Sequence, residues 1–206
     1  MGAVIESPPR HILIKLAGIL LQMNPNGTIP AKFKVALVLG GARSGKSRYG
    51  LTLAENFPAP RLFLATGEAR DAEMAARIAA HQAERGPGWE TREVPLDLPE
   101  ALSRGQGRYG AILVDCLTMW LSNLMLREDP AEEDLAAAGR RLLALLDRVA
   151  TPTIFISNEV GLGIVPEAPL ARQYRDWLGW LHQQVAQAAD LVVLVVAGLP
   201  LTLKGH

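Results

Sequence analysis

Val35-Ala36-Leu37-Val38-Leu39-Gly40-Gly41-Ala42-Arg43-Ser44-Gly45-Lys46-Ser47 joins an apolar run to the pattern G-x-x-x-x-G-K-[ST]. The run predicts a buried strand. The helical pattern from Lys46 to Asn56, stopping before Pro58, predicts a helix directly after the glycines. Strand, glycine loop and helix in that order are the context in which this pattern binds phosphate. Glycines let successive backbone N–H groups turn inward around an anion, and the helix N-terminus adds the positive end of its dipole. Gly40, Gly41, Ala42, Arg43, Ser44, Gly45, Lys46 and Ser47 are therefore the candidate nucleotide-binding residues. Lys46 is also a candidate catalytic residue, since it reaches the terminal phosphates, and the Ser47 hydroxyl is a candidate Mg2+ ligand. The alternative is a glycine turn with a chance lysine, and the flanking strand and helix count against it.

Outward from this loop the chain alternates regularly. Apolar runs Leu62–Ala65, Ala111–Val114, Thr153–Ile156 and Leu191–Val196 read as further strands. They are continuous rather than alternating, as expected when helices cover both faces of a parallel sheet. Helical patterns lie over Asp71–Arg85, Leu117–Arg127, Glu132–Val149 and Leu170–Ala189. This predicts one mostly parallel α/β domain over residues 34–206. Residues 1–33 differ, with Pro8, Pro9 and Pro30, a turn-like Asn24-Pro25-Asn26-Gly27 and one apolar segment, Ile12–Leu21. They read as an N-terminal extension.

Composition excludes several classes. Twenty-one basic against twenty-one acidic residues give zero net charge, so no global field draws the chain to nucleic acid or to an anionic membrane. No apolar stretch reaches the roughly 20 residues needed to span a bilayer, and no targeting signal is read. One cysteine, Cys116, excludes an intrachain disulfide and fits a reducing cytoplasm.

A phosphate loop working with Mg2+ needs a carboxylate near the metal, and Asp115, ending an apolar strand, is the candidate. The alternative is an N-cap for the helix that follows, and the two roles are compatible. Cys116 beside it reads as a small buried filler. On the Asp71–Arg85 helix, Arg77, His81 and Arg85 are spaced i, i+4, i+8 and form one stripe. A neutral imidazole between two guanidinium groups suits nucleophilic attack on a polyphosphate, while an ordinary solvated helix face explains the same spacing. Asn158-Glu159-Val160-Gly161-Leu162-Gly163 follows a strand and is a candidate substrate-facing loop, or a tight connection that needs glycine. Tyr174, Trp177 and Trp180 read as core or interface, and His11 and His182 have no partner pattern.

Together these residues resemble the bifunctional adenosylcobinamide kinase/adenosylcobinamide-phosphate guanylyltransferases of cobalamin biosynthesis. The resemblance rests on Gly40 to Arg48, Ala65-Thr66, and Glu73-Met74 with Arg77-Ile78 and His81. It continues through Trp89, Thr91 and Glu93, Val114-Asp115-Cys116-Leu117-Thr118, Trp120-Leu121-Ser122-Asn123, and Ser157-Asn158-Glu159-Val160-Gly161 with Gly163-Ile164-Val165-Pro166. It covers about residues 34 to 204. It implies a RecA-like fold, a homotrimer, and two reactions at one nucleotide site. A nucleoside triphosphate, ATP or GTP, phosphorylates adenosylcobinamide, and GTP then donates GMP to that phosphate. The resemblance makes His81 the residue that carries GMP, and places nucleotide contacts on the phosphate loop, Thr66, Gly67, Glu68, Glu93 and Asp115. Two departures stand out. Gly86 separates Arg85 from Pro87, where the family has proline directly after the arginine, and residues 1–33 have no counterpart. The competing readings are a monofunctional small-molecule kinase and, below it, a regulatory P-loop module. The latter lacks its guanine-specifying Asn/Thr-Lys-x-Asp element.

Overall fold

The computed structural model describes residues 33–67, 86–127 and 132–205. In chain order they form β1 (Val35–Gly40), α1 (Lys46–Glu55), β2 (Arg61–Ala65), β3 (Trp89–Glu93), α2 (Leu98–Gly105), β4 (Ile112–Asp115) and α3 (Leu117–Met125). There follow α4 (Glu132–Leu146), β5 (Thr153–Asn158), α5 (Pro169–Ala188), β6 (Leu191–Val196) and β7 (Leu199–Lys204). One sheet holds all seven strands in the order β3-β2-β4-β5-β1-β6-β7. Every pairing is parallel except β6 with β7.

The apolar runs are continuous because each strand feeds two cores. Val35, Leu37 and Leu39 of β1 face a layer that holds α2 to α5, with Trp120, Leu142, Leu178 and Val185 at its centre. Ala36 and Val38 face the other side, against Leu53 and Ala54 of α1. Phe33, the last residue of the segment read as an extension, is buried and packs edge-on against Phe57 at 5.3 Å between ring centroids. Asp190 Oδ2 accepts the backbone N–H groups of Lys34 and Val35 at 2.7 and 3.1 Å, which satisfies the entry to β1.

All five expected strands form. Two further strands, β3 and β7, and the short helix α2 escape the apolar-run reading. Both strands are sheet edges: β3 alternates charge with Thr91, and β7 is half solvated. The β6–β7 hairpin turns on Ala197 and Gly198, at φ 51° and 81°, the twist that tight hairpins require. The expected helix over Asp71–Arg85 lies outside the described residues.

Asp115 does not end the strand next to the phosphate-loop strand, because β5 lies between β4 and β1. The interposed strand brings Asn158 of β5 into register with Gly40.

Gly50 lets α1 lie close on the sheet: a Cβ there would run into Ile156 Cδ1, and Ile156 is fully buried. Gly50→Ala is expected to destabilise the protein by about 1–3 kcal/mol through overpacking, read as a lowered urea midpoint at unchanged slope.

Candidate functional site

The parallel strands end at one edge of the sheet, and nearly every described candidate residue lies there. Glu93 ends β3 opposite Ala65, Ala65 lies opposite Asp115, Asp115 opposite Ile156, and Asn158 opposite Gly40. This is the carboxyl edge, where open α/β sheets take ligands.

The phosphate loop is held from below. Ser44 N–H donates to Gly41 O at 3.3 Å, Glu159 N–H donates to Gly40 O at 3.1 Å, and Gly198 N–H donates to Ser44 O at 2.8 Å. Gly45 sits at φ 95°, a conformation that disfavours any side chain. A Cβ on Gly40 would collide with Ser44 Oγ and stand 2.6 Å from Val195 O. Ala42 and Arg43 are exposed on the loop's outer side. Lys46 Nζ donates to Gly41 O at 3.1 Å, so the ammonium lies across the mouth of the loop. Ser44 Oγ is buried with no hydrogen-bond partner among the described residues. A glycine-rich turn ahead of the α1 N-terminus, with the Lys46 ammonium beside it, fits an anion that is not part of the chain.

Asp115 is half-buried at the end of β4. The helix cap behind it falls on Cys116, without a side-chain cap bond, so capping does not account for the aspartate. Ser47 on α1 and Asp115 on β4 are both half-buried hard oxygen donors, the type that Mg2+ takes. Cys116 is buried as expected, and desolvation, reinforced by the Asp115 charge, pushes its thiol up to about 11, which makes it inert.

Thr66 has a structural task that the sequence does not announce. It is fully buried, and its hydroxyl donates to Cys116 O and accepts Cys116 N–H, both at 2.7 Å. Its side chain thus shapes the turn after Asp115. Asn123 Nδ2 locks the same segment by donating to Thr66 O at 2.7 Å. Gly67 is half-buried with open space around it, and Glu93 is exposed. Glu68, Arg77, His81 and Arg85 lie outside the described residues.

The loop after β5 leaves the same edge and presents Leu162 and Ile164 at 84% and 97% exposure. Glu159 Oε1 accepts Gly161 N–H at 2.6 Å, and Arg172 Nη1 donates to Pro166 O and Glu167 O. Trp177 and Trp180 pack edge-on at 5.5 Å and line a cavity of about 660 Å³ between α4 and α5. His182, which sequence gave no role, is buried on α5 with Nε2 2.7 Å from Ser157 Oγ and Nδ1 3.9 Å from Glu159 Oε2. Only the fold brings these partners together, so no local pattern could have announced them.

Comparison with known proteins gives a concordant result. The family model described as "Cobinamide kinase / cobinamide phosphate guanyltransferase" matches residues 36–203. The chain is 47% identical over 173 residues to the bifunctional adenosylcobalamin biosynthesis protein CobP of Pseudomonas aeruginosa, covering 82% of this chain and 97% of that one. It is 40% identical over 179 residues to CobU of Salmonella typhimurium, covering 82% and 98%. A solved structure from Pyrococcus horikoshii OT3 shares the fold at 8% identity, with a TM-score of 0.50 over 83% of this chain and 86% of that chain. Among the described residues no helix is long and apolar enough to cross a membrane.

Burial lowers the His182 pKa from its ordinary 6.5, the Glu159 carboxylate pulling weakly the other way. Below that value the unfolded chain binds a proton at this ring before the folded chain does, so stability falls as pH drops. Urea midpoints are expected to decline from about pH 6.5 toward pH 5, and the decline should be shallower in His182→Gln.

Proposed function

The chain belongs to the cobinamide kinase / cobinamide phosphate guanyltransferase family, and we propose that residues 34–206 carry both of its reactions at one nucleotide-using edge. The same reading takes the segment before Phe33, whose ring packs on Phe57, as an N-terminal extension, supported by a family match over residues 36–203. The observation that carries the reading is the phosphate loop ahead of α1 with Lys46 beside it, set on the same strand edge as Asp115 and Asn158.

In the first reaction the hydroxyl of adenosylcobinamide attacks the terminal phosphorus of ATP or GTP, and the nucleoside diphosphate leaves. The loop N–H groups and Lys46 stabilise the charge on the transferred group, and the backbone beneath them is already fixed, so little reorganisation is needed. Ser47 and Asp115 are the residues that would hold Mg2+, which supplies charge neutralisation on the phosphate oxygens. In the second reaction His81 attacks the α-phosphorus of GTP, a P–N bond forms, and pyrophosphate leaves. An oxygen of adenosylcobinamide phosphate then displaces the imidazole and gives adenosylcobinamide-GDP. Arg77 and Arg85, on the His81 stripe by helical spacing, offset charge on the α-phosphate. Gly67, Glu68 and Glu93 complete the nucleotide contacts. Thr66 contributes through the turn it builds. The same reading expects a cytoplasmic homotrimer that binds no nucleic acid.

GTP labelled at the α-phosphate tests the second reaction. The expected result is a protein-bound label that survives alkali, is lost in acid and is absent from His81→Ala. No label in a folded protein that binds nucleotide would leave a kinase alone. Lys46→Ala is expected to lower phosphorylation of adenosylcobinamide by about 10²-fold or more, as for loss of a preorganised charge donor, measured at saturating nucleotide.

A further inference from the structure

Under the carboxyl edge runs a buried polar chain that neither reaction uses. From His182 Nε2 it passes to Ser157 Oγ at 2.7 Å, and from there to Thr118 Oγ1 at 3.0 Å. Thr118 Oγ1 accepts the backbone N–H of Asn158 at 2.7 Å, and Thr118 O accepts the Tyr174 hydroxyl at 3.0 Å. Ser157 is fully buried, Thr118 and His182 nearly so. Burying three such groups has a cost that an apolar core of the same shape avoids, so the arrangement calls for a reason beyond stability.

Its ends give that reason. Thr118 lies in the first turn of α3, three residues after Asp115, and Ser157 precedes Asn158, which pairs in register with Gly40. Glu159, next in line, donates its N–H to Gly40 O and has its carboxylate beside His182 Nδ1. The chain therefore spans from the turn that carries Asp115 to the strand end that carries the phosphate loop. β5 lies between the two, and it is the spacer that sets their separation.

We propose that His182 is a positioning residue for phosphoryl transfer: bonded to Ser157, and through it to Thr118, it fixes the end of β5 against the start of α3 and so holds Asp115 and the phosphate loop at working distance. His182 touches neither nucleotide nor acceptor; its effect passes through the backbone of Asn158 and Glu159. The proposal rests on reading the edge as the phosphoryl-transfer site. Misplacement of such groups by about 1 Å costs rate more than affinity.

The test is steady-state phosphorylation of adenosylcobinamide by the full chain, with thermal midpoints measured alongside. His182→Leu, which fills the space without a polar tip, is expected to lower kcat about tenfold and leave the nucleotide KM within about twofold. His182→Gln, whose amide reaches the Nε2 position, should recover most of that loss. Ser157→Ala should lower kcat like His182→Leu, and the double variant should lose no more than either single one, the non-additivity of one shared path. Wild-type kcat in His182→Leu overturns the proposal. So does equal loss in the Leu and Gln variants in step with their thermal midpoints, which marks a merely structural ring. Should the His182 variants not fold, Ser157→Ala decides, and unchanged kcat there overturns it. A wild-type chain that does not phosphorylate adenosylcobinamide would overturn the functional reading itself, and this proposal with it.

Discussion

Everything at the functional edge hangs on β1 being buried on both faces. All six of its residues, Val35 to Gly40, are buried, with β5 on one side and β6 on the other. A strand enclosed in this way has no freedom to slide or tilt. The loop that leaves it therefore starts from a fixed point, and its N–H groups are aimed before any ligand arrives. Preorganisation of this kind is what lets backbone dipoles act on a phosphate without spending binding energy on their own rearrangement.

The second layer of the design is polar. Thr66 grips both polar atoms of Cys116, Asn123 grips Thr66, and Thr118 and Ser157 bridge α3 to β5. These are short side chains with few rotamers, placed where strands stop and their ladders end. At that position backbone groups lose their sheet partners, and hydroxyls or amides must replace them. The side chains that face solvent, Arg43 and Glu93, are long and charged. The site is thus built from two classes of residue, rigid ones that shape the edge and extended ones free to meet a ligand.

Much of this was legible in the sequence because it is written locally. The apolar strand runs, the phosphate loop and the carboxylate ending β4 each depend on neighbours within a few residues. β3 and β7 were missed because edge strands face water on one side and lose the continuous apolar run. The part Thr66 plays in the turn is not legible locally, because its partner Cys116 is far off in the chain. His182 was passed over for the same reason, its partner Ser157 lying 25 residues away on another element. Strand order was invisible too, since nothing local to Asp115 tells that β5 inserts between its strand and β1.

The hairpin that ends the described chain looks like trim. It is antiparallel, peripheral and half solvated, and Leu199, Leu201 and Leu203 are each more than half exposed. Yet the N–H of Gly198 in its turn holds the carbonyl of Ser44 in the phosphate loop, and Gly205 closes onto Asp190 and Leu191 at the base of β6. The last strand pair described is thereby tied to the phosphate loop that follows the first strand. A shortened C-terminus or a bulky fusion there is not a neutral handle, because it loosens the brace on which the shape of the anion cradle depends.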